Sequence, residues 1–138
     1  MSTRRSQASV LAITLLVASP ALACDPPPLG ASQLLAESPR YRIAWRVRPN
    51  PIVVSEPFAL EMSICTKPGA EAAEGIQVDA TMPEHRHGMN YRPSVIDGPD
   101  GHFLAEGMLF HMPGKWRLIF DVRAGGTTER LTHDLTVE

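Results

Sequence analysis

Histidine and methionine gather in one stretch of this chain. Between Met82 and Met112 lie four of its five histidines (His85, His87, His102, His111) and four of the five methionines that follow Met1 (Met82, Met89, Met108, Met112). The local spellings are M-P-E-H-R-H-G-M over 82–89 and H-M-P-G over 111–114. Imidazole serves both Cu(I) and Cu(II), whereas a neutral thioether adds little to the binding of zinc, calcium or magnesium and suits Cu(I). Together these donors select copper, as Cu(I). In an extended backbone His85 and His87 share a face, and Met89 continues it past Gly88. His111 and Met112 approach from the far end of a neighbouring strand. The candidate ligand set is therefore His85, His87, Met89, His111 and Met112.

Other residues of these types have simpler places. Taken singly, Met82, Met108 and Met112 also fit core positions of alternating strands. His102 follows Gly101 in a turn and is expected in solvent, and His133 falls in phase with Leu131 and Leu135 as a semi-buried histidine. No enzyme is indicated. Ser55, Ser63 and Ser94 lack a nucleophile-elbow context, and H-E-x-x-H and Gly-rich phosphate motifs are absent from the sequence.

The elements that must hold these donors are strands. Tyr41, Ile43, Trp45 and Val47 alternate with arginines, a half-buried pattern of period two. The same period returns at Phe58–Ile64, Ile76–Met82, Trp116–Val122 and Leu131–Val137, with shorter strands expected at 93–96 and 103–110. Turn clusters separate them, among them Lys67-Pro68-Gly69, Asp97-Gly98-Pro99-Asp100-Gly101 and Ala124-Gly125-Gly126-Thr127. Gly107 is expected as a bulge that resets which side chains face inward. The reading is all-β: an immunoglobulin-like antiparallel β-sandwich of about seven strands, with Trp45, Leu60, Ile64, Val78, Trp116, Leu118 and Phe120 in one core. Residues 24–39 read as an irregular segment with a short helical turn at Leu34-Leu35, residues 40–138 as the sandwich, and His85 to Tyr91 as a loop at its rim.

Ahead of them, residues 1–23 have the form of an export signal. Arg4 and Arg5 precede an apolar run from Val10 to Val17, and Ala21 and Ala23 stand at −3 and −1 of a small-residue cleavage pattern. The two cysteines, Cys24 and Cys65, then form an even pair in an oxidising compartment and read as a disulfide. The competing reading is a lipoprotein anchored through Cys24. Ala21 and Leu22 depart from the lipobox, which favours ordinary cleavage and a soluble periplasmic protein.

Composition bounds the partners. The chain has 138 residues, a formal charge of −2 and no basic run, which argues against nucleic acid. Its 13 prolines and 10 glycines suit a small β domain rich in turns. No apolar stretch beyond residue 23 is long enough to cross a bilayer as a helix.

The run from Ala80-Thr81-Met82-Pro83 through His87-Gly88-Met89, then Gly101-x-Phe103 and Phe110-His111-Met112-Pro113-Gly114-x-Trp116, resembles the YtkA-like domain family over roughly residues 40–137. The resemblance implies a small exported or membrane-anchored protein with an immunoglobulin-like sandwich. That architecture is similar to periplasmic copper proteins of the CopC and copper-chaperone kinds and to proteins near cytochrome oxidase assembly. The family's His-Gly-Met falls on His87, Gly88 and Met89, and its Met-Pro-Gly-x-Trp turn on Met112, Pro113, Gly114 and Trp116. Unlike CopC-like proteins, the chain has no histidine at its expected mature N-terminus. Two functions follow as expectations. One is a copper-binding protein that stores Cu(I) or passes it to a periplasmic or membrane copper protein or an oxidase-assembly partner. The other is a metal-free interaction module that assists assembly of a membrane or envelope complex.

Overall fold

Alternation of apolar and polar residues dictates which way each strand faces, and the pairing registers show where that alternation holds and where it breaks. The computed structural model describes residues 24–138; the expected export signal lies outside the described residues. Nine strands form: β1 (Leu34–Glu37), β2 (Tyr41–Arg48), β3 (Pro57–Thr66), β4 (Gly75–Met82), β5 (His87–Gly88), β6 (Ser94–Asp97), β7 (His102–Leu109), β8 (Gly114–Ala124) and β9 (Thr127–Val137). They make two antiparallel sheets, a five-stranded one ordered β1-β2-β3-β7-β6 and a four-stranded one ordered β5-β4-β8-β9.

The inner faces meet in one core. Tyr41, Ile43, Leu60, Met62, Trp116, Leu118 and Phe120 are fully buried, and Trp45, Ile64 and Val78 nearly so. Every core residue expected from periodicity lies there. Trp45 of the larger sheet meets Phe120 of the smaller at 5.9 Å between ring centres, and the edge of His133 at 4.9 Å. His133 is semi-buried, as its phase implies.

Three local expectations change. Leu34-Leu35 forms no helical turn but opens β1, because Leu34 to Glu37 pair with Trp45 to Arg42 and Ala36 turns inward. Cross-strand hydrogen bonding outweighs the helix propensity of two leucines. The 85–91 segment is not all loop either: His87 and Gly88 add a two-residue strand to the edge of β4, opposite Met82 and Thr81. These two short strands bring the total above the seven expected.

The bulge sits where Gly107 placed it. Leu60 pairs with Ala105 but Phe58 with Met108, so β7 carries one extra residue, and Gly107 adopts φ 82°. Ala105 and Met108 are both buried while Glu106 and Gly107 are exposed. The shift in phase turns Met108 and then Phe110 into the core.

The N-terminal segment lies against the outer face of the five-stranded sheet. Cys24 is bonded to Cys65, with the Cα atoms 5.7 Å apart, and the Ser63 hydroxyl donates to Pro27 O at 2.5 Å. The sulfur of Cys24 is therefore engaged in a bridge. Closing a separation of 41 residues limits the unfolded chain. We expect Cys24→Ala/Cys65→Ala to lose about 3–4 kcal/mol of unfolding free energy in urea titration.

Ion pairs tie the outer surface together. Glu37 is held below the usual carboxylate range by Lys67 and then Arg42, Glu129 by the Ser38 hydroxyl and then Arg40, and Asp134 by Arg117. A carboxylate whose pKa is lowered by folding adds stability above its unfolded pKa and loses it as pH falls through the folded one. The urea midpoint should thus be level near neutrality and fall as pH drops through and below about 4. Asp134→Asn should make that acid-side fall shallower.

Candidate metal centre

The candidate donors lie at one end of the sandwich, where β4 ends, β7 crosses to β8, and the 49–56 loop joins β2 to β3. A tight turn carries the first of them. Both His85 N–H and Arg86 N–H donate to Met82 O, at 3.1 and 2.9 Å, and Arg86 takes φ 57°. The chain then runs back along β4, with Met89 N–H donating to Ala80 O at 3.2 Å. Gly88 fits this return because a Cβ there would stand 3.1 Å from Ala80 O.

The other side comes from the crossover. Phe110 is buried and stacks on Trp116 with ring centres 4.2 Å apart and planes within 8°. Trp116 Nε1–H donates to Met112 O at 3.0 Å, and Phe110 O accepts from Ser55 N–H at 2.8 Å. These bonds fix the backbone on both sides of His111. Such an aromatic pair adds about 0.5–1.5 kcal/mol beyond its burial.

Three imidazoles result in a row. His85 is exposed, while His87 and His111 are half-buried, and His111 Nδ1 is buried without a hydrogen-bond partner. Ring centres are 5.8 Å apart for His85–His87 and 5.1 Å for His87–His111. Trp116 is edge-on beneath the inner pair, 6.1 Å from His87 and 5.5 Å from His111. His87 Nδ1 lies 3.2 Å from Gly88 O. A carbonyl accepts only, so in the neutral ring this contact favours the tautomer protonated on Nδ1, which leaves the Nε2 lone pair free.

Those separations suit a bridging ion. A metal about 2.0 Å from one nitrogen of each ring sets the ring centres roughly 5–6 Å apart, for angles between tetrahedral and linear. Each adjacent pair falls in that range. Even so, no three histidine, cysteine, aspartate or glutamate side chains among the described residues converge on a single point to hold an ion.

The methionines divide. Met82 and Met108 are core, whereas Met89 and Met112 are partly buried and pack against the core. Met112 also acts through its backbone, as the acceptor for Trp116. His102 lies at the far end of β7, where Nδ1 contacts Pro99 O at 3.2 Å. Trp116, read from the sequence as a core residue, also contacts two of the three histidines, and Phe110, read as the end of a strand, stacks on it. The H-M-P-G-x-W spelling was the signal for that, since it ties His111 to an indole five residues on.

The fold and the row together define a small antiparallel β-sandwich with an imidazole-lined rim. Among solved structures the fold is similar to FetP of uropathogenic Escherichia coli strain F11, isolated from recombinant expression in the periplasm, at TM-score 0.51 and 7% identity over 78% of this chain and 97% of that one. It is also similar to a DUF4426 family protein of Pseudomonas aeruginosa PAO1, at TM-score 0.50 and 9% identity over 76% and 94%. A copper-bound variant of FetP aligns at TM-score 0.49 and 8% identity over 77% and 90%. At such identities the likeness is one of fold. No family profile matches the chain, that of the YtkA-like domain included, and no curated protein matches its sequence.

Gly114 is the tightest point of the centre. It has φ 128°, and a Cβ there would lie 2.8 Å from the methyl of buried Met82. Gly114→Ala should destabilise the domain by about 1–3 kcal/mol in urea titration, through backbone strain and displacement of Met82.

Proposed function

We propose that this is an exported, non-enzymatic metal-handling protein of the periplasm that binds copper as Cu(I) at the rim, for storage or for transfer to a periplasmic or membrane copper protein or an oxidase-assembly partner. The ligands come from His85, His87, Met89, His111 and Met112. The observation that carries this reading is His111 Nδ1, buried without a partner in the protein and on a ring 5.1 Å from that of His87. A buried polar atom without a partner costs about 1–3 kcal/mol, and a metal bound there would remove that cost. Neutral nitrogen and thioether donors with no carboxylate among them favour Cu(I) over hard cations. Export is supported by the form of residues 1–23 and by a disulfide, which persists in oxidising compartments.

The second reading is the metal-free interaction module. Its support is the lack, among the described residues, of three His, Cys, Asp or Glu side chains converging on one point. Competition titration against a Cu(I) chelator separates the two. Binding of one Cu(I) per chain is expected, with affinity reduced about a hundredfold in His87→Ala/His111→Ala and about tenfold in Met89→Leu. A wild-type protein that takes up no Cu(I) at micromolar concentration sinks the copper reading and leaves the module.

A further inference from the structure

The three imidazoles differ in a way that simple binding does not need. His85 is exposed, whereas His87 and His111 are both half-buried and the Nδ1 of His111 is shielded from solvent. Each neighbouring pair has the separation of a two-coordinate or bent metal site, and the two pairs share His87. We propose that the row is a two-station relay that pivots on His87. The outer station, His85 with His87, exchanges Cu(I) with the partner, and the inner station, His87 with His111, retains it. This inference rests on the copper reading above.

The chemistry of one step is a ligand substitution. Cu(I) bound to His87 Nε2 and a nitrogen of His85 forms a bond to His111 Nδ1 and loses the bond to His85. The lone pair of His85 returns to its ring, and the bond to His87 persists throughout. Copper keeps its oxidation state, and no proton moves if His111 Nδ1 already carries the free lone pair. The contact from His87 Nδ1 to Gly88 O favours the one tautomer that leaves Nε2 free for both stations. The backbone bonds that fix Met112 and Phe110 keep His111 in place, while His85 stands on an exposed turn. An exposed first ligand and a fixed last one give the row a direction, inward for loading and outward for release.

Equilibrium and rate separate the roles. The exported protein is loaded with Cu(I), and its removal by a chelator in excess is followed by stopped-flow, with the tryptophan fluorescence, to which Trp116 beside His87 and His111 contributes, as the signal. His85→Ala should weaken the equilibrium affinity clearly less than His111→Ala does and slow loading and removal about tenfold. His111→Ala should weaken the affinity about tenfold or more and leave removal at least as fast as in wild type. His85→Gln, which removes the imidazole but keeps a polar side chain, should behave like the alanine variant. Unchanged rates in both His85 variants would overturn the relay while the copper reading stands. An affinity loss in His85→Ala equal to that in His111→Ala would also overturn it, because it would mean a single site held by both. A wild-type protein without Cu(I) affinity would remove the copper reading and the relay with it.

Discussion

The parallel stack of Phe110 on Trp116 is the contact on which the rim depends. Phe110 is the first residue after β7 of the larger sheet, and Trp116 is the third residue of β8 in the smaller. The chain crosses between sheets in the few residues between them. The indole closes the crossover twice, by stacking on Phe110 and by donating to Met112 O. His111 is caught inside that closure. Its backbone is therefore fixed on both sides, and its distance from His87 follows from how the two sheets pack. Replacing either aromatic ring would change the spacing of the histidines before it changed their identity.

The bulge at Gly107 works with this stack. A regular strand would keep alternate residues after Ala105 inward, which means Gly107 and Leu109. The extra residue moves the inward phase to Met108 and Phe110, so Phe110 can reach Trp116 and His111 comes to the rim. Glycine suits the position because its φ is positive, a conformation that costs other residues strain.

Much of this was legible in the sequence, for physical reasons that differ by element. Long strands with one buried face carry a period-two signal, so β2, β3, β4, β8 and β9 and their core residues could be read directly. The pairing of Cys24 with Cys65 followed from an even count and an export signal. Strands β1 and β5 were illegible because they are too short for a period and owe their existence to a neighbour's free edge. The methionines were harder still. Thioethers serve as core filler and as soft donors alike, and only packing shows that Met82 and Met108 are fully buried while Met89 and Met112 are half-buried at the edge of the core. That His85, His87 and His111 stand in file, without closing around one point, depends on a turn at Arg86 and on sheet packing, neither of which leaves a mark in spacing.

The bridge between Cys24 and Cys65 also gives the molecule two poles. Cys65 lies near one end of β3, and Phe58, which pairs with Met108 beside the histidine rim, lies near the other. Seven residues of extended chain separate them, a span of roughly 23 Å. The N-terminal segment is fastened to the pole away from the imidazoles. Polypeptide joined ahead of Cys24, or a surface to which the chain is held by that end, thus meets the domain at its back. The histidine rim lies at the opposite pole, away from that attachment.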